Sequence, residues 1–182
     1  MSTSAELRDG SAVTLRAVPY DDPVATLLVG RVQQEYVTRY GGPDEAAVDP
    51  AEFVPPEGLF LVAEVAGEPA GCGAWRVYPP GGIEIKRVYV EPGFRRRGLA
   101  QLIVAALEGS AVAAGHRSVV LNTGDRQPEA LALYAALGYS PVQGYGVYAC
   151  SPEAVFLGKD LAPAPGEDAV GPGEGEERSW AS

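Results

Sequence analysis

The stretch EIKRVYVEPGFRRRGLA, residues 84–100, joins an alternating apolar segment to a turn that contains three arginines and a glycine. Apolar residues after Gly98 follow a helical spacing, so the turn stands between a predicted strand and a predicted helix. The first N–H groups of a helix lack internal partners and lie at the positive end of its dipole, which suits a phosphate. Gly98 lets a phosphate approach the backbone, and Arg95, Arg96 and Arg97 add positive charge. This pattern predicts an anion-binding turn, with a solvated basic turn as the alternative.

Metal and nucleophilic chemistry find little support in the residue types. Cys72 and Cys150 are isolated, so neither a zinc site nor a disulfide framework is predicted. The single histidine, His116, stands at the predicted C-terminal end of a helix, where a cation interacts favourably with the dipole. An acyl-cysteine intermediate is disfavoured, because Cys72 falls in a predicted strand with no histidine motif nearby.

The composition of the chain limits the classes of protein to which it can belong. The chain has 182 residues, of which 46% are hydrophobic, enough for one domain with a continuous core. Its net charge of −10 repels phosphate at long range, which argues against binding to nucleic acid or to anionic membranes. No stretch approaches the ~20 apolar residues of a membrane span, and no secretory leader is predicted. These features favour a cytoplasmic protein.

Local patterns predict the elements that position the arginine turn. Strands are predicted in residues 12–18, in two runs within 59–78, and in 83–92, 117–123, 142–150 and 153–161. One or two helices are predicted in 21–40, and single helices in 99–115 and 127–138. Residues 41–58 are rich in proline, glycine and acid, which predicts a long loop that is a candidate lid or substrate loop.

The chain divides into three predicted parts: a flexible leader (1–11), one domain (12–161) and an acidic tail (162–182). Val170 and Trp180 are the large apolar side chains of the tail, too few to offset its ordering entropy, so disorder is predicted there. The tail carries five acidic residues and one arginine, a net charge of −4, which leaves −6 for the rest of the chain.

The segment RRRGLA fits the pattern Arg/Gln-x-x-Gly-x-Gly/Ala, with Arg95, Gly98 and Ala100 at its defining positions. Together with the order of elements over residues 15–161, it resembles the GNAT superfamily of acyl-coenzyme A dependent N-acetyltransferases, most specifically over 83–139. The resemblance implies an α/β fold of mixed α+β type. A single domain would hold a central mixed, mostly antiparallel sheet of about seven strands flanked by helices. It also implies acetyl-CoA as co-substrate, with its pyrophosphate at the arginine turn, and no metal.

The resemblance further implies roles for particular residues. Glu84 matches the position of a general base that often acts through water, and Tyr134 matches the acid that protonates the departing thiolate. From the residue pattern alone, Glu84 is equally a surface charge paired with Lys86 or Arg76, and Tyr134 is a core aromatic residue. The Val88 N–H is implied to donate to the thioester oxygen. The implied coenzyme contacts are Val88, Tyr89, Val90, Arg95, Arg96, Arg97, Gly98, Leu99, Ala100 and Asn122.

The acceptor is less specified. By the resemblance, Glu35, Tyr36, Tyr40, Asp44 and Glu45 wall the acceptor cleft, and an acidic, aromatic wall suits a cationic amine. A solvated surface is the alternative. We predict direct transfer of acetyl from acetyl-CoA to a primary amine of a small molecule, within a ternary complex. The alternatives are a peptide or protein amine as acceptor, and a non-catalytic sensor that binds acyl-CoA. Neither nucleic acid nor membrane is a predicted partner, and a homodimer is left open.

Overall fold

A computed structural model describes residues 2–46 and 48–161 of the chain. Within them lie eight strands: β1 (Ser2–Glu6), β2 (Ala12–Ala17), β3 (Gly58–Val65), β4 (Glu68–Tyr78), β5 (Gly82–Val90), β6 (Ser118–Gly124), β7 (Ser140–Pro141) and β8 (Ala154–Asp160). The helices of the same residues are α1 (Pro23–Tyr40), α2 (Leu99–Ala113) and α3 (Pro128–Ala136). Short 3-10 turns occur at Pro50–Phe53, Pro92–Phe94 and Gly146–Tyr148. The predicted disordered tail lies outside the described residues.

All eight strands belong to one sheet, in the order β1-β2-β3-β4-β5-β6-β8-β7. Strands β5 and β6 run parallel, and the other neighbours are antiparallel. The predicted mixed, mostly antiparallel sheet with flanking helices in one domain is therefore confirmed.

The eighth strand comes from the segment that the sequence assigned to a flexible leader. Instead, β1 pairs with β2 from Ser2 opposite Arg16 to Glu6 opposite Ala12. Leu7, at the turn, is buried in the core and anchors the hairpin. The Asp-Gly step at residues 9–10 was the available signal, because it is typical of hairpin turns. The polar sequence of β1 concealed it.

A second difference concerns residues 142–150, for which the sequence predicts a strand. The strand that forms is the two-residue β7, and a loop with a 3-10 turn follows. Gly146 has a φ of 62°, which interrupts extended pairing. The loop places Tyr145 against Glu84 of β5 and Tyr148 against Asp44 of the loop after α1.

Helix α1 forms as one helix because both of its ends are well capped. Oδ1 of Asp22 accepts a hydrogen bond of 2.8 Å from the N–H of Val24, and Pro23 occupies the first turn. Gly41 ends the helix in the left-handed conformation. Buried Leu28 and Val32 turn the apolar side of α1 toward one face of the sheet.

Helix α2 covers the opposite face at very close range. A Cβ added at Gly73 of β4 would lie 2.7 Å from Cγ2 of Ile103 and 3.0 Å from Cδ1 of Leu107. Glycine in β4 thus lets α2 approach the strand backbone. Strand β5, next to β4, is therefore enclosed by α2 on one face and by α1 on the other.

A bulge interrupts β5 at Arg87, which has a φ of 59°. Cys72 of β4 pairs with Tyr89, whereas Ala74 pairs with Lys86, so β5 holds an extra residue between these pairs. Val88, after the bulge, packs in the cluster on the α2 face. The bulge thus changes which side chains of β5 face α1.

Candidate active site

Strands β5 and β6 separate soon after they meet. Their pairing joins Ile83 to Val119 and Glu84 to Val120, and no later pair is formed between them within the described residues. Strand β5 continues to Val90 with this edge of its backbone unpaired. The gap lies along the predicted coenzyme contacts Val88, Tyr89 and Val90, and the Val90 carbonyl accepts a hydrogen bond from Nε of Arg95 at 2.8 Å. An extended ligand could pair with such an edge as an additional strand does.

The N-terminus of α2 begins close to this gap. Gly98 precedes the helix with a φ of 89°, and no side chain caps the first N–H groups. A non-glycine residue is strained at this φ, so the sequence requires glycine here. The backbone of Gly98, Leu99 and Ala100 therefore has the uncapped geometry that the anion-binding prediction needs.

The three arginines of the turn differ in their surroundings. Arg95 forms an ion pair with Glu35 of α1, and Nε of Arg97 donates to Oδ2 of Asp9 at 2.6 Å. Arg96 is exposed, has a φ of 63°, and has no hydrogen bond or ion pair within the described residues. Arg95 and Arg97 thus brace the turn, and Arg96 is the arginine with an uncommitted charge.

A fourth arginine, which sequence reasoning missed, lies at the same helix end. Nη2 of Arg8 donates to Oε1 of Gln101 at 2.6 Å, and the Arg8 N–H donates to the Arg97 carbonyl at 3.1 Å. A Cβ added at Gly98 would lie 3.3 Å from Nε of Arg8. The β1–β2 hairpin therefore delivers a cation to the start of α2. Recognition of the Asp-Gly turn would have indicated it.

On the α1 face the gap opens into a cavity of about 280 Å³. Its lining comes from α1, the following loop, β5, β6 and the segment before β8: Tyr36, Tyr40, Gly42, Pro43, Asp44, Glu45, Ile85, Lys86, Arg87, Asn122, Thr123, Gly124, Gln127, Tyr148, Ser151, Glu153 and Ala154. The structure thus brings Asn122 together with four of the five residues predicted to wall the acceptor. Glu35 is the exception, because it faces Arg95.

Much of the predicted acidic wall is neutralised by arginine. Asp44 forms an ion pair with Arg87, whose side chain is 4% exposed. Burial opposes ionisation, but the hydrogen bond and charge of Arg87 lower the pKa of the Asp44 carboxyl below its ordinary value. Tyr148 donates to Oδ1 of Asp44 at 2.9 Å and accepts from the Glu45 N–H at 2.7 Å. The loop after α1 is thereby tied to the loop before β8.

Glu84 lies behind the cavity and is 2% exposed. Its carboxylate accepts hydrogen bonds from Nε of Arg76 at 2.9 Å, from Nζ of Lys86 at 3.5 Å and from the Tyr145 hydroxyl at 3.3 Å. The sequence pattern left open that Glu84 pairs with Arg76 or Lys86 on the surface. In the structure Glu84 contacts both, but Glu84 and Lys86 are buried. Lys86 stands between the carboxylate and the cavity, so Glu84 does not itself line the cavity.

Tyr134 of α3 packs edge-on against Tyr139, with ring centroids 5.3 Å apart, and is 6% exposed. Its hydroxyl makes no hydrogen bond within the described residues. Burial, with a smaller contribution from Tyr36, raises the pKa of Tyr134 above its ordinary value. Burial likewise raises the pKa of Tyr36, which lines the cavity, to about 12. Tyr134 therefore stays protonated at neutral pH, as a proton donor must.

The two cysteines differ in burial. Cys72 is fully buried, its Sγ donates to the Arg87 carbonyl at 3.3 Å, and burial raises the pKa of the thiol to about 12. A thiolate nucleophile is thus disfavoured at this position. Cys150 is exposed. Within residues 2–46 and 48–161, no group of three or more potential metal ligands occurs, and no helix is long and apolar enough to cross a membrane.

Comparisons with known proteins agree on one family. Residues 29–139 match the model of the Acetyltransferase (GNAT) family. An IAA acetyltransferase from Azospirillum brasilense is 32% identical over 152 residues, covering 80% of this chain and 95% of the relative. An uncharacterized N-acetyltransferase from Schizosaccharomyces pombe is 33% identical over 144 residues, covering 74% and 87%. The solved structure of a proposed acyl-CoA N-acyltransferase from Klebsiella pneumoniae has a TM-score of 0.69 and 29% identity, covering 82% and 98%.

Proposed function

Because this chain belongs to the GNAT family of acetyltransferases, we propose that it transfers acetyl directly from acetyl-CoA to the primary amine of a small molecule. The observation that carries the proposal is the unpaired gap between β5 and β6. It adjoins the uncapped N-terminus of α2 and opens into the cavity. A coenzyme arm in the gap would meet an acceptor in the cavity, without any intermediate on the enzyme.

In this proposal the start of α2 holds the coenzyme pyrophosphate. The N–H groups of Leu99 and Ala100 donate to it, and Gly98 permits the approach. Arg96 and Arg8 supply positive charge, while Arg95 and Arg97 keep the turn in shape. The Val88, Tyr89 and Val90 backbone pairs with the pantetheine arm, and Asn122 contacts it from β6.

The proposed chemistry moves one acyl group and two protons. The amine nitrogen attacks the thioester carbon, a C–N bond forms, and the Val88 N–H donates to the developing oxyanion. The C–S bond then breaks, and the thiolate takes a proton from the Tyr134 hydroxyl. The surplus proton of the amine passes through water to Glu84, since Lys86 separates that carboxylate from the cavity. Tyr134 regains its proton from solvent.

A small acceptor is favoured over a peptide by the size of the cavity. Its volume of about 280 Å³ is at the lower end for ligand pockets, and Tyr148 ties together two of the loops that line it. Separately, the two cysteines of the protein are free thiols, which fits the cytoplasmic location that we propose. A peptide acceptor would need these loops to separate.

The test combines binding and turnover in one sample. Acetyl-CoA is titrated calorimetrically into the protein, and thiol release is then followed with polyamines, amino acids, aminoglycosides and peptide N-termini. Binding together with thiol release for a small amine supports the proposal. Release with peptides alone supports the peptide alternative, and binding without release for any amine supports the sensor. Failure to bind acetyl-CoA would contradict all three.

A further inference from the structure

Two neighbouring cations of β5 line the same cavity. In a regular strand, Lys86 and Arg87 would point to opposite faces of the sheet. The bulge changes this: Arg87 pairs with Asp44 on the α1 side, and both Lys86 and Arg87 line the cavity. The left-handed backbone conformation of Arg87 is unfavourable for an arginine. Such strain is typical of functional sites. The cavity thereby gains two adjacent, buried cations, Lys86 paired with Glu84 and Arg87 paired with Asp44, which we call the cationic floor.

The guanidinium of Arg87 is not fully satisfied. Its Nη1 binds Asp44, but its Nε is the one buried side-chain nitrogen or oxygen of residues 2–46 and 48–161 that has no hydrogen-bond partner. Buried donors nearly always have an acceptor. The Tyr20 hydroxyl also interacts with this guanidinium. A guanidinium binds a carboxylate through two parallel N–H donors, so a carboxylate that reached Nε from the cavity would supply the missing acceptor.

Lys86 also has donors to spare. Its side chain is 6% exposed, and its Nζ donates one hydrogen bond, of 3.5 Å, to Oε1 of Glu84. An ammonium carries three donors. Glu84 is meanwhile held more closely by Nη2 of Arg76, at 2.8 Å. The Lys86 ammonium can therefore bind an additional anion without leaving Glu84 unpaired.

We propose that the acceptor amine carries a carboxylate, as an amino acid does, and that the cationic floor of Lys86 and Arg87 binds this carboxylate. The inference rests on the proposed function, because it assigns a substrate class to the same cavity. The acidic residues of the lining are compatible with it. Arg87 neutralises Asp44, and Arg126 forms an ion pair with Glu153. Glu45 is exposed, where it favours the cationic end of an amino acid during entry.

The first test needs no variant. Leucine, methionine and phenylalanine are compared with the amines that lack only the carboxylate: isopentylamine, 3-(methylthio)propylamine and phenethylamine. Binding to the complex of the protein with CoA is measured by calorimetry. We expect at least one amino acid to bind about 10-fold or more tightly than its amine, as charged hydrogen bonds imply. Equal or tighter binding of every amine would overturn the inference.

A variant then locates the effect. Arg87→Gln alone would leave Asp44 as a buried unpaired charge and endanger folding. The double variant Asp44→Asn with Arg87→Gln avoids this, and circular dichroism checks its fold. We expect the amino acid to lose its advantage of about 10-fold, while affinity for the matched amine changes less than about 3-fold. Retention of the full preference in the folded double variant would contradict the inference.

The control is the double variant Arg126→Gln with Glu153→Gln, which removes a more exposed ion pair at the cavity and should preserve the preference. A failure of the proposed function has a different signature. It would appear as no thiol release with any acceptor, whereas the carboxylate preference is measured by binding alone. Binding of amino acids without turnover would thus support the cationic floor and contradict the transfer reaction.

Discussion

At residue scale, Arg76 binds two carboxylates that differ in burial, and a catalytic role is proposed for only one of them, Glu84. Nε of Arg76 donates to Oε2 of Glu84 at 2.9 Å, and Nη1 donates to Oε2 of Glu52 at 2.6 Å. The Glu84 side chain is 3% exposed and that of Glu52 is 42% exposed. Both share the guanidinium, but Glu84 alone of the two approaches the cavity, through Lys86.

For Glu84→Gln we expect kcat to fall about 100-fold, because the proposed proton acceptor is lost. The variant should also lose up to about 3 kcal/mol of stability, since Arg76 and Lys86 stay buried without their counter-charge. The control Glu52→Gln should lose less than about 1 kcal/mol and keep its turnover. Stopped-flow thiol release and thermal unfolding measure these effects. Equal loss of kcat in both variants would mean that Arg76, not proton transfer, explains the effect.

For Tyr134→Phe we expect an opposite signature: kcat falls about 100-fold while the midpoint of thermal unfolding stays nearly constant. The hydroxyl makes no hydrogen bond in the described part of the chain, so little stability depends on it. Because burial raises the pKa of Tyr134 above 10, wild-type turnover should show no alkaline loss from this group up to that pH.

Tyr139→Phe is the matched control for this prediction. The Tyr139 hydroxyl donates to Oε1 of Glu108 at 2.7 Å, so its loss should cost about 1 kcal/mol of stability and leave kcat unchanged. Full turnover in Tyr134→Phe, measured by thiol release from pH 6 to 10, would remove the acid role.

At the scale of secondary-structure elements, the sequence correctly predicted the strands and helices that depend on local residue patterns. The strand before the arginine turn and the helix after Gly98 follow from the change of apolar spacing, and both are present. Contacts between distant segments left no local signal. The pairing of β1 with β2, the docking of Arg8 at α2 and the ion pair of Asp44 with Arg87 depend on tertiary packing. The bulge at Arg87 replaces the alternation on which side-chain directions were predicted.

The start of α2 is tested by Gly98→Asp. We expect the dissociation constant of acetyl-CoA to rise at least 10-fold, because an anionic side chain would occupy the phosphate approach and φ of 89° would strain the backbone. Gly93→Asp is the control, since it adds the same charge to the same turn at an exposed position with open space around it. We expect the dissociation constant of this variant to change less than 3-fold, because salt screens the added charge. Calorimetry measures both dissociation constants. Equal losses of affinity would mean that long-range repulsion explains the effect of Gly98→Asp.

At the scale of the whole molecule, the acidic chain keeps its cations in specific places. The net charge is −10, yet four arginines converge on the start of α2 and two further cations line the cavity. Local geometry must therefore overcome a long-range field that repels the polyanionic coenzyme. Part of that field comes from residues 162–182, whose net charge is −4.

The predicted boundary between domain and tail is tested by a chain that ends at Ala164. This leaves a short spacer after Leu161, which is buried and donates its N–H to the Arg117 carbonyl at 2.8 Å. We expect the midpoint of thermal unfolding to shift by less than about 2 °C, because the removed residues have few apolar side chains to bury. The association rate of acetyl-CoA should rise about 2-fold at low ionic strength, as charge is removed, and the difference should vanish at about 0.5 M salt. Full-length chain with Glu174, Glu176 and Glu177 changed to Gln should reproduce most of the rise. A loss of several degrees in the shortened chain, with no such loss in the charge variant, would instead show that the tail packs on the domain.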